Sequence, residues 1–263
     1  MSNQDNDQFY RQRADERWRS SDFEGALEDY THLIKRRPND PLAYTRRAEL
    51  LLKMMRSDEA LADYTYVIEL YPGSSDLHIQ RALALEMIGD YTGAIADYTK
   101  ALELDPEIGS WYEARGIIYN TIEQYSYAIN DFTTAIELEP DALNAYFHRG
   151  EAYLGMKMYR EALADFSMLI AKQHRIFAVY RLRAFSYIGL DDYKSAITDL
   201  NSVINLLYQN GYQPTSDDFY YRGLAKSLIG DKQGALDDYH TAIELNPDNA
   251  HLDVMTQYIG ENK

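Results

Sequence analysis

The chain has 263 residues, no cysteine, and 42 acidic against 26 basic side chains, for a net charge of −16. That composition excludes a disulfide framework, thiol catalysis and Cys-ligated zinc, and the charge repels phosphate backbones, so no nucleic-acid partner is expected. No basic start precedes an apolar run at the N-terminus, and no apolar run is long enough to span a bilayer; the expectation is a soluble, cytoplasmic protein without membrane insertion.

The length suggests one or two globular domains until its internal order is read. Ala26, Ala60, Ala94, Ala128, Ala162, Ala196 and Ala235 are spaced by 34 residues five times and then by 39. Thirteen residues before each alanine stands an arginine; a small residue follows it, and an aromatic or His precedes it by three. Four residues after the alanine comes an aromatic, or Leu200 in the sixth unit. Offsets of three and four are helical, so each unit reads as two amphipathic helices.

In chain order, residues 1–6 read as a flexible N-terminus. Unit one, 7–40, opens with an unusually polar helix, turns at Ser20-Ser21-Asp22 and closes at Pro38, because proline cannot continue a helix. Units two to four, 41–74, 75–108 and 109–142, close at Pro72, Pro106 and Pro140, with a weak turn at Met55-Arg56-Ser57 and a clear one at Gly89-Asp90. Units five and six, 143–176 and 177–215, lack that proline and carry His174 and Tyr208 instead. The five extra residues of unit six read as a longer helix, a turn at Asn210-Gly211 and a helix start at Thr215-Ser216-Asp217. Unit seven, 216–249, turns at Gly230-Asp231. Residues 250–263 then read as a one-sided capping helix and tail, with Leu252, Met255 and Ile259 on one face.

An aromatic, a small residue four later, an alanine twelve after that, an aromatic four further and a closing proline (Tyr44, Ala48, Ala60, Tyr64, Pro72) resemble the tetratricopeptide repeat. The resemblance implies an all-α fold: a right-handed α-solenoid, or superhelix, of seven helix-turn-helix hairpins plus the C-terminal capping helix. It also implies a concave groove lined by the first helix of every hairpin. On that face Arg11, Arg46 and Lys53 would meet an acidic or carboxylate group, Arg181 lies among them, and Phe147, Phe185, Tyr220 and Tyr221 would anchor apolar side chains. The carboxylate clamp of the chaperone-binding subfamily is not reproduced, since Arg11, Asp15, Arg46, Asp76 and Gln80 stand at its positions.

The arginine column departs from the family, which more often has leucine there. Sixteen residues after each arginine is an aspartate, giving Arg13 and Asp29, Arg47 and Asp63, Arg81 and Asp97, Arg115 and Asp131, Arg149 and Asp165, Arg183 and Asp199, Arg222 and Asp238. The expectation is a structural, partly buried ladder, paired within each repeat or between neighbours. No phosphate loop, paired His or nucleophile elbow is present, so no enzyme activity, cofactor or metal site is expected. Residues 1–56 hold 11 basic and 10 acidic side chains, residues 57–263 hold 15 and 32. The expected function is a scaffold binding an extended peptide or helix of another protein in the groove. The alternatives are a homodimer through the aromatics of repeats five to seven and, disfavoured by charge, a helical-repeat RNA binder.

Overall fold

A computed structural model of the chain describes residues 3–173, 176–248 and 250–261. Met1, Ser2, His174, Arg175, Asn249, Asn262 and Lys263, which include the outer ends of the expected lead-in and tail, lie outside the described residues. Among the latter there are fifteen helices and no strand: α1 (Asn3–Arg19), α2 (Phe23–Arg36), α3 (Pro41–Lys53), α4 (Ser57–Leu70), α5 (Ser75–Met87), α6 (Tyr91–Leu104), α7 (Gly109–Thr121), α8 (Tyr125–Leu138), α9 (Leu143–Gly155), α10 (Tyr159–Ala171), α11 (Ile176–Gly189), α12 (Tyr193–Gln209), α13 (Ser216–Leu228), α14 (Lys232–Leu245) and α15 (Leu252–Glu261). None of them is long and apolar enough to cross a membrane.

The chain divides into two compact parts, residues 1–118 and 119–263, with the division inside α7; from here on these two are unit one and unit two, and the seven segments of the sequence are repeats one to seven. In the first, hairpins α1/α2, α3/α4 and α5/α6 form, α2 packs on α3 and α4 on α5. In the second, α8 leads into hairpins α9/α10, α11/α12 and α13/α14, and α15 closes on α14. Within each unit, every hairpin touches its neighbour in sequence, the construction of an α-solenoid.

Small residues let the two helices of a hairpin approach. Ala14, Ala26, Ala48 and Ala60 are fully buried, and at Gly150 and Gly223 an added Cβ would lie 2.6 Å from Phe166 and 2.9 Å from Tyr239. The aromatic column fills the space beside them: Tyr30, Tyr64, Tyr98, Phe132, Phe166 and Tyr239 are all buried. The hairpin turns share one backbone device. Ser21, Met55, Gly89, Glu123, Lys157, Asp191 and Gly230, each eight residues after its arginine, all have positive φ. The same device replaces the missing prolines, because Gln173 (φ 54°) and Gly211 (φ 77°) end α10 and α12 in the left-handed conformation.

One expectation fails at the start. Residues 3–6 belong to α1 rather than to a flexible lead-in, and Asp7 ties the first turns to the end of α2 by accepting from Arg36 and Arg37, both at 2.6 Å.

The arginine column is bidentate on the aspartate of its own repeat. Nε and Nη2 of Arg47 reach the two oxygens of Asp63 at 2.7 and 2.6 Å, and Arg13, Arg81, Arg149, Arg183 and Arg222 repeat the geometry on Asp29, Asp97, Asp165, Asp199 and Asp238. These aspartates are buried. Arg115 and Asp131 fall in different units. The remaining Nη1 turns to the preceding repeat: Arg47 donates to Thr31, Arg81 to Thr65, Arg115 to Thr99, Arg149 to Thr133 and Arg183 to Ser167, while Arg222 donates to Asn201. The guanidiniums of Arg47, Arg81, Arg149, Arg183 and Arg222 therefore fix the hairpin angle and the stacking register together. The aromatic three residues earlier lies under the guanidinium, as with Tyr146 5.3 Å from Arg149. In repeat three His78 takes that place and reaches Asp97 through Nδ1 at 3.0 Å.

The end repeats add a second cation to the same carboxylate. Arg17 reaches Asp29 at 2.9 Å, and Lys226 reaches Asp238 at 2.9 Å. Arg17, an oddity in sequence, thus stabilises the first hairpin.

Candidate partner-binding face

The first helices of unit one present a continuous, mixed face. On α1, Asp15, Trp18 and Arg19 stand beside Arg46 of α3 and the Tyr30 hydroxyl of α2, around a cleft of about 260 Å³. Tyr30 donates to Asp15 at 2.7 Å, and burial together with that bond pushes its pKa well above the ordinary tyrosine range. Tyr64 and Tyr98 are shifted upward as well, chiefly by burial and then by Glu49 and Glu86. All three phenols stay protonated, and those of Tyr30 and Tyr98 direct the proton to Asp15 and Glu86.

Further along, α3 and α5 touch. They leave large apolar side chains in water: Leu42 is 42% exposed, Leu83 49% and Met87 71%. Around them lie Glu49, Asp76 and Glu86. Glu49 accepts from Arg46 at 2.9 Å, and Lys53 is exposed at the end of α3.

Two candidate residues differ from expectation in this unit. Arg11 donates to Asp40 at 2.6 Å, and Asp40 also caps α3 by accepting from the Leu42 amide. Arg11 therefore staples α1 to the next repeat, since a cation beside a buried-side carboxylate satisfies it locally. Arg46 keeps its exposure although Glu49 holds one of its nitrogens.

In unit two the expected anchors turn inward. Phe147 is buried, packed with Phe166, Leu169 and Val179 where α9, α10 and α11 meet; it is core, not a groove anchor. Arg181 is held bidentate by Asp218, a fully buried carboxylate of α13, at 2.6 and 2.9 Å, which links repeats six and seven. Tyr220 is also buried, because His251, from the segment leading into α15, stacks on it at 3.9 Å and an angle of 6°. Tyr221 and Phe185 are half-buried against each other, centroids 4.5 Å apart. Exposed side chains remain there as well: Tyr208 and Tyr212 of the insertion are more than half exposed, Tyr212 meets Phe177 edge-on, and Leu228 at the end of α13 is 52% exposed.

The face of unit one was partly legible. Trp18, Arg19 and Leu83 occupy groove positions by spacing, but nothing in their residue types marked them above the aromatics of the later repeats. Among the described residues no group of His, Cys, Asp or Glu is arranged to hold a metal.

Comparison with known proteins agrees with this construction. Two family profiles, both described as tetratricopeptide repeat, match residues 11–74 and 45–107 and residues 144–173. No curated protein sequence matches the chain. A tetratricopeptide repeat protein from Parabacteroides merdae is similar in structure, at 21% identity and TM-score 0.64, over 97% of this chain and 98% of that one. The C-terminal part of a TPR repeat-containing protein from Cytophaga hutchinsonii reaches TM-score 0.76 at 20% identity, over 93% and 98%. The hetero-tetramer Cut9-Hcn1 of the APC/C matches at TM-score 0.56 and 17% identity, over 89% of this chain and 44% of that one.

Proposed function

The chain is a tetratricopeptide-repeat protein, and we propose that it is a non-catalytic scaffold whose first helices in unit one hold a segment of another protein. The observation that carries this reading is the alignment of exposed Leu42, Leu83 and Met87 with the open cleft of Asp15, Trp18, Arg19 and Arg46. Apolar side chains kept in water beside charged groups are what a protein interface uses, with anchors at the centre and polar groups at the rim. The fold supports the non-catalytic part, since tetratricopeptide proteins generally mediate interactions and assemblies. The negative charge favours a protein partner over nucleic acid.

The alternative, self-assembly through the aromatics of repeats five to seven, would have to use Tyr208 and Tyr212, because Phe147 and Tyr220 are buried within their own unit. The test is affinity capture with wild type, Arg19→Glu with Arg46→Glu, and Leu83→Asp with Met87→Asp. Partners held by wild type should be lost from one or both variants while the helical content stays unchanged. Identical partner lists on all three baits would move binding off this face.

A further inference from the structure

Scaffold binding leaves the partner's chemistry open, and one stripe of the face constrains it. In α5, Asp76, Ile79, Gln80, Leu83, Glu86 and Met87 fall at i, i+3, i+4, i+7, i+10 and i+11, a single side of the helix. Leu83 and Met87 are exposed, and so is Asp76. Glu86 has only a long contact to the Tyr98 hydroxyl, at 3.4 Å.

The rest of unit one around it in sequence is strongly acidic. Residues 57–118 hold three basic and 12 acidic side chains. Of the three, Arg81 is engaged with Asp97 and Lys100 with Glu103, and Arg115 donates to Thr99. The stripe therefore offers acceptors and apolar contact, with its nearest-in-sequence cations already committed.

We infer that this stripe receives a basic amphipathic segment of a partner protein: its apolar side chains lie on Leu83 and Met87, and its Lys or Arg side chains meet Asp76 and Glu86. The inference rests on the reading of this face as protein-binding. A purely apolar segment would desolvate Asp76 and Glu86 without compensation, and an acidic one would be repelled.

The test is selection of a random displayed peptide library on the whole chain, followed by affinity measurement of the enriched peptides. Peptides rich in Lys or Arg, with apolar residues at helical spacing, are expected. Asp76→Lys with Glu86→Lys should weaken them at least about tenfold, Asp76→Asn with Glu86→Gln by less, and Leu83→Ala with Met87→Ala by a similar tenfold factor. Glu137→Lys with Glu139→Lys, a charge change at exposed sites of the other unit, should leave affinity within about twofold. Acidic or uncharged peptides that still depend on Leu83 and Met87 would overturn the basic-partner inference and leave the face reading standing. Peptides indifferent to every face variant, or no enrichment at all, would overturn both.

Discussion

The first helices of the two units carry the same columns, and in neither unit does residue type say which positions reach solvent. Two residues before the arginine, unit one has Arg11 and Ile79 and unit two has Phe147 and Tyr220; by residue type the second pair looks like the binding surface. Yet Phe147 and Tyr220 are buried, at 5% and 6% exposure, whereas Leu83 and Met87 of unit one stand in water. The difference lies in what stands opposite. Val179 of α11 and Phe166 of α10 close over Phe147, and His251 covers Tyr220. Among the described residues nothing covers Leu83 and Met87 in that way, although Ile79 of the same helix packs into the core. In a repeat array a column fixes where a side chain starts, and the neighbouring hairpin decides whether it ends in core or in solvent.

Urea unfolding should separate the two kinds of residue most sharply. Phe147→Ala is expected to cost about 3–5 kcal/mol, as for other buried aromatics. Leu83→Ala should stay within about 0.5 kcal/mol. Equal losses at the two positions would erase the distinction.

The ladder divides the molecule another way, interior against end. Arg149→Ala leaves Asp165 buried without its bidentate partner, and a loss of about 3 kcal/mol is expected. At Arg13 the side chain is 38% exposed and Arg17 also holds Asp29, so Arg13→Ala should cost much less than Arg149→Ala in the same measurement. Adding Arg17→Ala to Arg13→Ala should then cost more than the two singles summed, because the first removal leaves a substitute and the second does not. Simple additivity would mean that Arg17 does not share the load.

Much of this was readable in the sequence. Spacing alone located the helices, the small columns and the arginine–aspartate pairs, since each follows from local periodicity or an identical offset. The insertion was legible for the same reason: Asn210-Gly211 marks a turn, and α12 runs to Gln209 before it. The inter-repeat half of the ladder was missed, although its signal is present as a column of Thr31, Thr65, Thr99, Thr133 and Ser167, two residues beyond each aspartate. A hydroxyl on a helix is too common to stand out until an arginine points at it. The burial of Phe147 and Tyr220 depends on segments distant in sequence, α11 and the approach to α15, and no helical period reports that.

The cover over Tyr220 is itself breakable. His251→Ala removes a stacked pair with centroids 3.9 Å apart and should cost about 1 kcal/mol. The near-UV dichroism of the tyrosines should change with it. A stability loss without a spectral change would place the effect in the turn before α15 rather than in the stack.

The smallest expected effect tests the turns, where the units differ in the residue placed at a shared left-handed position. Unit one has Gly89 (φ 80°) in its third repeat, and unit two has Lys157 (φ 59°) in its fifth. A non-glycine residue there carries roughly 1–2 kcal/mol of strain. Glycine relieves it but loses about 0.5–1 kcal/mol more backbone entropy on folding. Lys157→Gly should therefore raise stability by only about 0.5 kcal/mol, visible as a small increase in urea midpoint at constant slope. Gly89→Ala reverses both terms and should lower the midpoint by a similar amount, so a pair of shifts with the same sign would rule out the shared backbone state as the cause.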